Sequence, residues 1–143
     1  MKKDIDASAP GAVFLYIAVV AASMRVLVGI DDSNHGIKAL ESALERADET
    51  GDELTVAVYA GPGDSLEENE AAVRDRIETL DADVAVERID TDPGSGIVEL
   101  AERDDYDQIV LSGGKRSPLG KIKLDDVHEF VLLNSRTTVK LVR

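Results

Sequence analysis

Apolar residues along this chain come in short β-branched runs, separated by polar stretches in which the apolar positions return every three or four residues. Arg25-Val26-Leu27-Val28-Gly29-Ile30 is the first such run and predicts a buried strand. Asp31-Asp32-Ser33 follows, with Ser33 placed to cap a helix. Ile37, Leu40 and Leu44, with Ala43 and Ala47 beside them, carry that helix to about Thr50, where Gly51 ends it. Leu54 to Tyr59 is a second strand, broken by Gly61-Pro62-Gly63.

Ser65 and Glu68 have the spacing of a capping box, and Val73, Ile77 and Leu80 give the helix behind it an apolar face. Val84-Ala85-Val86 predicts a third strand, Asp90 to Gly96 a turn, and Ile97, Leu100 and Ala101 a short helix. Gln108 to Leu111 is a fourth strand and feeds a long polar loop. Val127, Phe130 and Val131 mark a fourth helix, and Thr138 to Val142 a fifth strand. Strands and helices alternating in this way predict an α/β fold, with five parallel strands and helices on both faces. Ligands of such sheets sit outside the carboxyl ends of the strands. Two loops fall at that edge: Asp31-Asp32-Ser33, and the loop after the fourth strand.

That loop reads Ser112-Gly113-Gly114-Lys115-Arg116-Ser117-Pro118-Leu119-Gly120-Lys121-Ile122-Lys123-Leu124-Asp125-Asp126. It opens on glycines and carries four cations from Lys115 to Lys123, chemistry that suits a phosphate. It closes on two aspartates, which a phosphate avoids. It is not a Walker A loop, because Ile122 follows Gly120-Lys121 where Ser or Thr is needed. Ser33 and His35 suggest no oriented triad.

The net charge of −13 and the presence of two Phe, three Tyr and no Trp argue against nucleic-acid binding, which needs a basic field and stacking surfaces. High acidity of this kind suits a salt-rich cytoplasm. The absence of Cys excludes disulfides and thiolate chemistry. His35 and His128 have no metal-ligand spacing and are expected to be ordinary surface histidines. The apolar run Ala12 to Ala22 is too short to span a bilayer, which takes about 20 residues. With Lys2 and Lys3 it has some features of a signal peptide, but Asp4 and Asp6 spoil the basic end. A start at Met24, directly before the first strand, explains it better. Residues 1–23 are therefore expected to lie outside a single domain spanning 24–143.

From Met24 onward the chain resembles a single-domain universal stress protein. Met24 to Ser33 resembles that family's opening strand and its Asp-x-Ser, Ala39-Leu40 through Ala47 its first helix, and Tyr106 to Leu111 the strand before its nucleotide loop. Arg116-Ser117-Pro118 with Gly120-Lys121 resembles the loop of archaeal members. The resemblance implies a Rossmann-like sheet of the adenine nucleotide alpha hydrolase-like kind, a stress-response role, and a homodimer, often paired through the last strand at 138–142.

Nucleotide-binding members carry G-x-x-G, nine residues, then G-S or G-T. With Val127 aligned to the valine after that motif, Ser112 and Lys115 stand at the first two glycines and Asp125-Asp126 at the last pair. Gly113, Gly114 and Gly120 are out of register. The resemblance puts Asp31 at the adenine end, with Val58 and Leu111 flanking the base. The candidate nucleotide residues are thus Asp31, Val58, Leu111, Ser112, Gly113, Lys115, Arg116, Asp125, Asp126 and Val127.

Asp126 and Glu129 have the spacing to cap their own helix, which would fill the place of a phosphate. A phosphate about 5 Å from one of these carboxylates costs roughly 3 kcal/mol at an effective dielectric near 20, about a hundredfold in affinity. Lys115, Arg116, Lys121 and Lys123, or Mg²⁺ between the aspartates and a phosphate, would offset this. Three functions stay open: a stress-response interaction protein with weak or no ATP binding, an ATP or AMP sensor using Asp31 and the basic loop, and a weak nucleotide hydrolase. No catalytic residue or metal site is evident, and the protein clients are not legible.

Overall fold

The computed structural model describes residues 23–31, 34–112, 115–116, 122–123 and 125–142. Among the described residues seven strands and four helices follow one another: β1 Arg25–Ile30, α1 Asn34–Thr50, β2 Glu53–Val58, α2 Leu66–Thr79, β3 Ala85–Arg88, α3 Pro93–Arg103, β4 Gln108–Ser112, β5 Lys115–Arg116, β6 Ile122–Lys123, α4 Asp126–Asn134 and β7 Thr138–Val142. Five strands form one sheet in the order β3-β2-β1-β4-β7, and every pairing is parallel. β5 and β6 form a separate antiparallel ribbon inside the long loop, which the sequence did not suggest.

Alternation along the strands builds two cores. Leu27, Ala57, Ile109 and Leu111 face one side, where Ile97, Leu100 and Ala101 of α3 and Val131 of α4 cover them. Val26, Val28, Ile30, Leu54, Val56, Val58 and Val110 face the other, against Leu40 of α1 and Val73 and Ile77 of α2. A sheet apolar on both faces needs a helix layer on each, and burying each Val, Leu or Ile contributes about 1.5–3 kcal/mol.

The helix ends show the local chemistry. Ser65 caps α2, its hydroxyl accepting from the Glu68 N–H at 3.2 Å. Gly51, at φ 77°, ends α1 in the left-handed region, with its N–H donating to the Ala47 carbonyl at 2.8 Å. After α2 and α3 the same backbone conformation falls to aspartates, Asp81 at φ 52° and Asp105 at φ 53°. Ser33, expected to cap α1, lies outside the described residues.

The third strand runs Ala85–Arg88 rather than Val84 to Val86, and α3 also differs from expectation. The stretch Asp90 to Gly96 is not all turn, because α3 begins at Pro93. Asp92 is the cap, its carboxylate accepting from the Ser95 N–H at 3.1 Å, and Pro93 supplies a first helical residue that needs no donor. Gly94 and Gly96 serve close packing. A Cβ on Gly94 would lie 2.8 Å from the Phe130 Cβ, and one on Gly96 would lie 2.5 Å from Ile89 Cγ2.

Candidate functional site

The carboxyl ends of β1, β2 and β4 bring the predicted residues to one edge. Asp31 directly follows β1 and is half-buried, and its backbone crowds α1 where Gly36 approaches. Val58 ends β2 and Leu111 lies near the end of β4, both fully buried, and Ser112 is buried beside Leu111. Gly29, one residue before the end of β1, has no room for a side chain. A Cβ there would be 2.8 Å from Leu111 Cδ2 and 3.2 Å from Ile97 Cδ1.

A residue missed in the sequence ties this edge together. Tyr59, immediately after β2, is buried, and its N–H donates to the Ile30 carbonyl at 3.1 Å. Burial pushes its hydroxyl well above the ordinary value of 10.0, and the carboxylates of Asp31 and Asp125 push the same way. One phenol thus feels both the end of β1 and the start of α4. In the sequence Tyr59 looked like the last apolar residue of a strand.

At α4 the structure corrects the predicted cap. Asp126 is already helical, and the capping residue is Asp125, held extended at φ −88° and ψ 179°. Asp125 Oδ1 accepts from the His128 N–H at 2.9 Å. The same oxygen lies 2.5 Å from His128 Nδ1. An ionised carboxylate only accepts, so Nδ1 carries the proton in this pair. Val127 is half-buried and packs on the core, while Asp126 and Glu129 add negative charge to the first turn.

The expectation of a surface histidine fails for His128, which is 2% exposed. The cause is position. His128 and Val131 stand one helical turn apart on the buried side of α4. Its Nε2 has no hydrogen-bond partner. His35 carries no described side chain.

Lys115 and Arg116 lie in the β5–β6 ribbon, where Lys115 pairs with Lys123 and Arg116 with Ile122. The backbone thereby sets two of the cationic positions opposite each other just beyond β4. Gly113, Gly114 and Lys121 lie outside the described residues. Among the described residues no three carboxylates or histidines come together as a metal site would require.

At this edge Asp31 follows β1, Val58 and Leu111 are buried beside it, and the N-terminus of α4 is bonded by its own Asp125. The family model for the universal stress protein family matches residues 23–143. The chain belongs to the universal stress protein family.

Solved structures of universal stress proteins share its fold. One from Archaeoglobus fulgidus is 22% identical, with a TM-score of 0.68, covering 84% of this chain and 98% of its own. A universal stress protein in complex with cAMP is 23% identical, with a TM-score of 0.64, over 85% of this chain and 98% of its own. A second Archaeoglobus fulgidus structure, in complex with dAMP, is 20% identical, with a TM-score of 0.59, over 85% of this chain and 99% of its own. No curated protein matches the sequence. Among the described residues, no helix is long and apolar enough to cross a membrane.

Proposed function

We propose that this universal stress protein works as a cytoplasmic stress-response interaction protein, without catalysis, in which tight ATP binding has been lost. The observation that carries this reading is the bond from the His128 N–H to Asp125 Oδ1. A helix N-terminus attracts a phosphate through its free N–H groups and its positive dipole end. Here the chain's own carboxylate takes one of those N–H groups, and Asp126 and Glu129 add negative charge to the same first turn. The adenine end carries no such aspartate cap: Asp31 follows β1, beside the buried Val58 and Leu111 that the family resemblance sets around the base.

Calorimetric titration of ATP with Mg²⁺ into the full chain, at low salt and at molar KCl, tests the proposal. No heat at millimolar ATP is expected. A micromolar dissociation constant would overturn it.

The second reading is an adenine-nucleotide sensor, and the β5–β6 ribbon favours it. The register that sets Lys115 opposite Lys123 places two cationic positions of the loop together in sequence terms, chemistry suited to a phosphate. The cAMP and dAMP complexes of structural neighbours agree with that reading. Titration with AMP and cAMP in the same experiment separates the two. A weak hydrolase remains the third reading, tested by phosphate release under saturating ATP.

We also propose a homodimer paired through β7. This strand is an edge of the sheet, with only β4 beside it. Sedimentation at micromolar concentration tests the dimer, and a 15.4 kDa species throughout would exclude it.

A further inference from the structure

Helix α4 leaves apolar side chains in water. Among the described residues four large apolar side chains are exposed, and three of them, Phe130, Leu132 and Leu133, stand on α4. His128 and Val131 take the core side of the helix, and Leu133 on the far side is 80% exposed. Phe130 packs against Gly94 of α3, so Leu132 and Leu133 are the outward pair. Glu129, Leu132, Leu133 and Arg136 follow one another at i, i+3, i+4 and i+7, which puts an acid, two leucines and a base along one stripe. Arg136 lies just past the helix end, after the C-cap Ser135. Both charged residues are exposed, and among the described residues neither holds an ion pair within the chain.

The stripe is complementary to itself. Consider two α4 helices packed antiparallel and centred between residues 132 and 133. Leu132 of one copy then stands opposite Leu133 of the other. Glu129 stands opposite Arg136, each the same distance from the centre. Two-fold symmetry repeats both contacts, as an isologous interface requires.

We propose that this stripe is a self-association surface, and that its occupant is α4 of a second copy of this chain. Charge complementarity selects that occupant. The chain carries a net charge of −13, so most faces of two copies repel each other. Along this stripe acid meets base at both ends of an apolar centre. The two helices would approach to about 8–10 Å, the usual separation of packed helices. The area is small, so the contact alone is weak and depends on concentration. It uses residues that β7 pairing does not use, and it stands whether or not that pairing forms.

Sedimentation equilibrium of the full chain, from micromolar to millimolar, tests the proposal. The parent is expected to dimerise as concentration rises. Leu133→Asp should weaken the dimer at least tenfold. Glu129→Arg alone or Arg136→Glu alone should do the same, since each sets like charges against each other across the axis. Mixing the two charge variants is the decisive arm. The Glu129→Arg chain carries two bases on the stripe and the Arg136→Glu chain two acids. A mixed dimer should therefore form at the parent's strength, although neither variant dimerises well alone. A folding defect cannot give that recovery. A mixture no stronger than the single variants would overturn the proposal. So would single variants that dimerise like the parent, which would leave β7 pairing as the contact. A parent still monomeric at millimolar concentration would overturn both.

Discussion

Asp125 Oδ1 stands 2.9 Å from the backbone nitrogen of His128 and 2.5 Å from its ring Nδ1, so one carboxylate oxygen both caps α4 and fixes a buried imidazole. The pair joins a helix end to the core and removes from solvent an N–H that a phosphate would otherwise use.

Asp125→Ala is expected to destabilise the protein by about 2–3 kcal/mol. Loss of a cap costs about 0.5–2 kcal/mol, and a buried ring nitrogen left without its partner costs about 1–3 kcal/mol, with overlap between the two. Asp125→Asn keeps an acceptor and should lose less. Urea midpoints of both variants check the order, and equal losses would deny the ring contact any part.

Tyr59 predicts a loss of stability in base. Its folded pKa is raised, so its contribution is fully present below the ordinary value of 10.0 and is lost as pH rises beyond it. In that range the unfolded chain ionises the phenol while the folded one holds the proton. Stability should fall by up to about 1.4 kcal/mol per pH unit above pH 10. Tyr59→Phe should flatten this slope. Urea unfolding across that range, read against the variant, is the measurement.

Asp105 ends α3 at φ 53°, where a side chain crowds the following carbonyl. The Tyr106 N–H reaches back to the Ala101 carbonyl at 2.9 Å, so the turn itself is well bonded. Asp105→Gly should keep those bonds and relieve the crowding, raising stability by about 0.5–1 kcal/mol, or roughly 2–4 °C in Tm. An unchanged or lower Tm would mean the aspartate's own local bonding outweighs the strain.

Gly94→Ala should be destabilising by about 1–3 kcal/mol in spite of the better helix propensity of alanine. The new Cβ would meet the Phe130 Cβ at 2.8 Å, the fixed root of that side chain, so α3 and α4 would have to move apart. Thermal unfolding of the variant checks it.

The sheet was legible because alternation and helical period both show in this chain. Val26 to Ile30 could be nothing but a strand buried on two faces, and Ser65 announced α2. What escaped depended on neighbours distant in sequence. Gly94 and Gly96 looked like turn residues because their close partners, Phe130 and Ile89, are not visible locally. The Asp92-Pro93 start signal was present but was outweighed by those glycines.

His128 was misplaced because α4 is apolar almost all round. Phe130, Leu132 and Leu133 compete with Val131 for the core, and Leu133 ends up 80% exposed. No period can choose a face in such a helix. The place of Tyr59 emerges only when β1 and β2 lie side by side.

The measurement that tests the central claim most directly is a paired calorimetric titration. ATP with Mg²⁺ is titrated into the full chain and into a variant carrying Asp125→Gly and Asp126→Ser, after folding of the variant is confirmed by its cooperative unfolding. If the aspartates occupy the place of the phosphate, the parent shows no binding at millimolar ATP and the variant binds at least tenfold more tightly than that limit. Equal behaviour of the two, or micromolar binding by the parent, would contradict the claim.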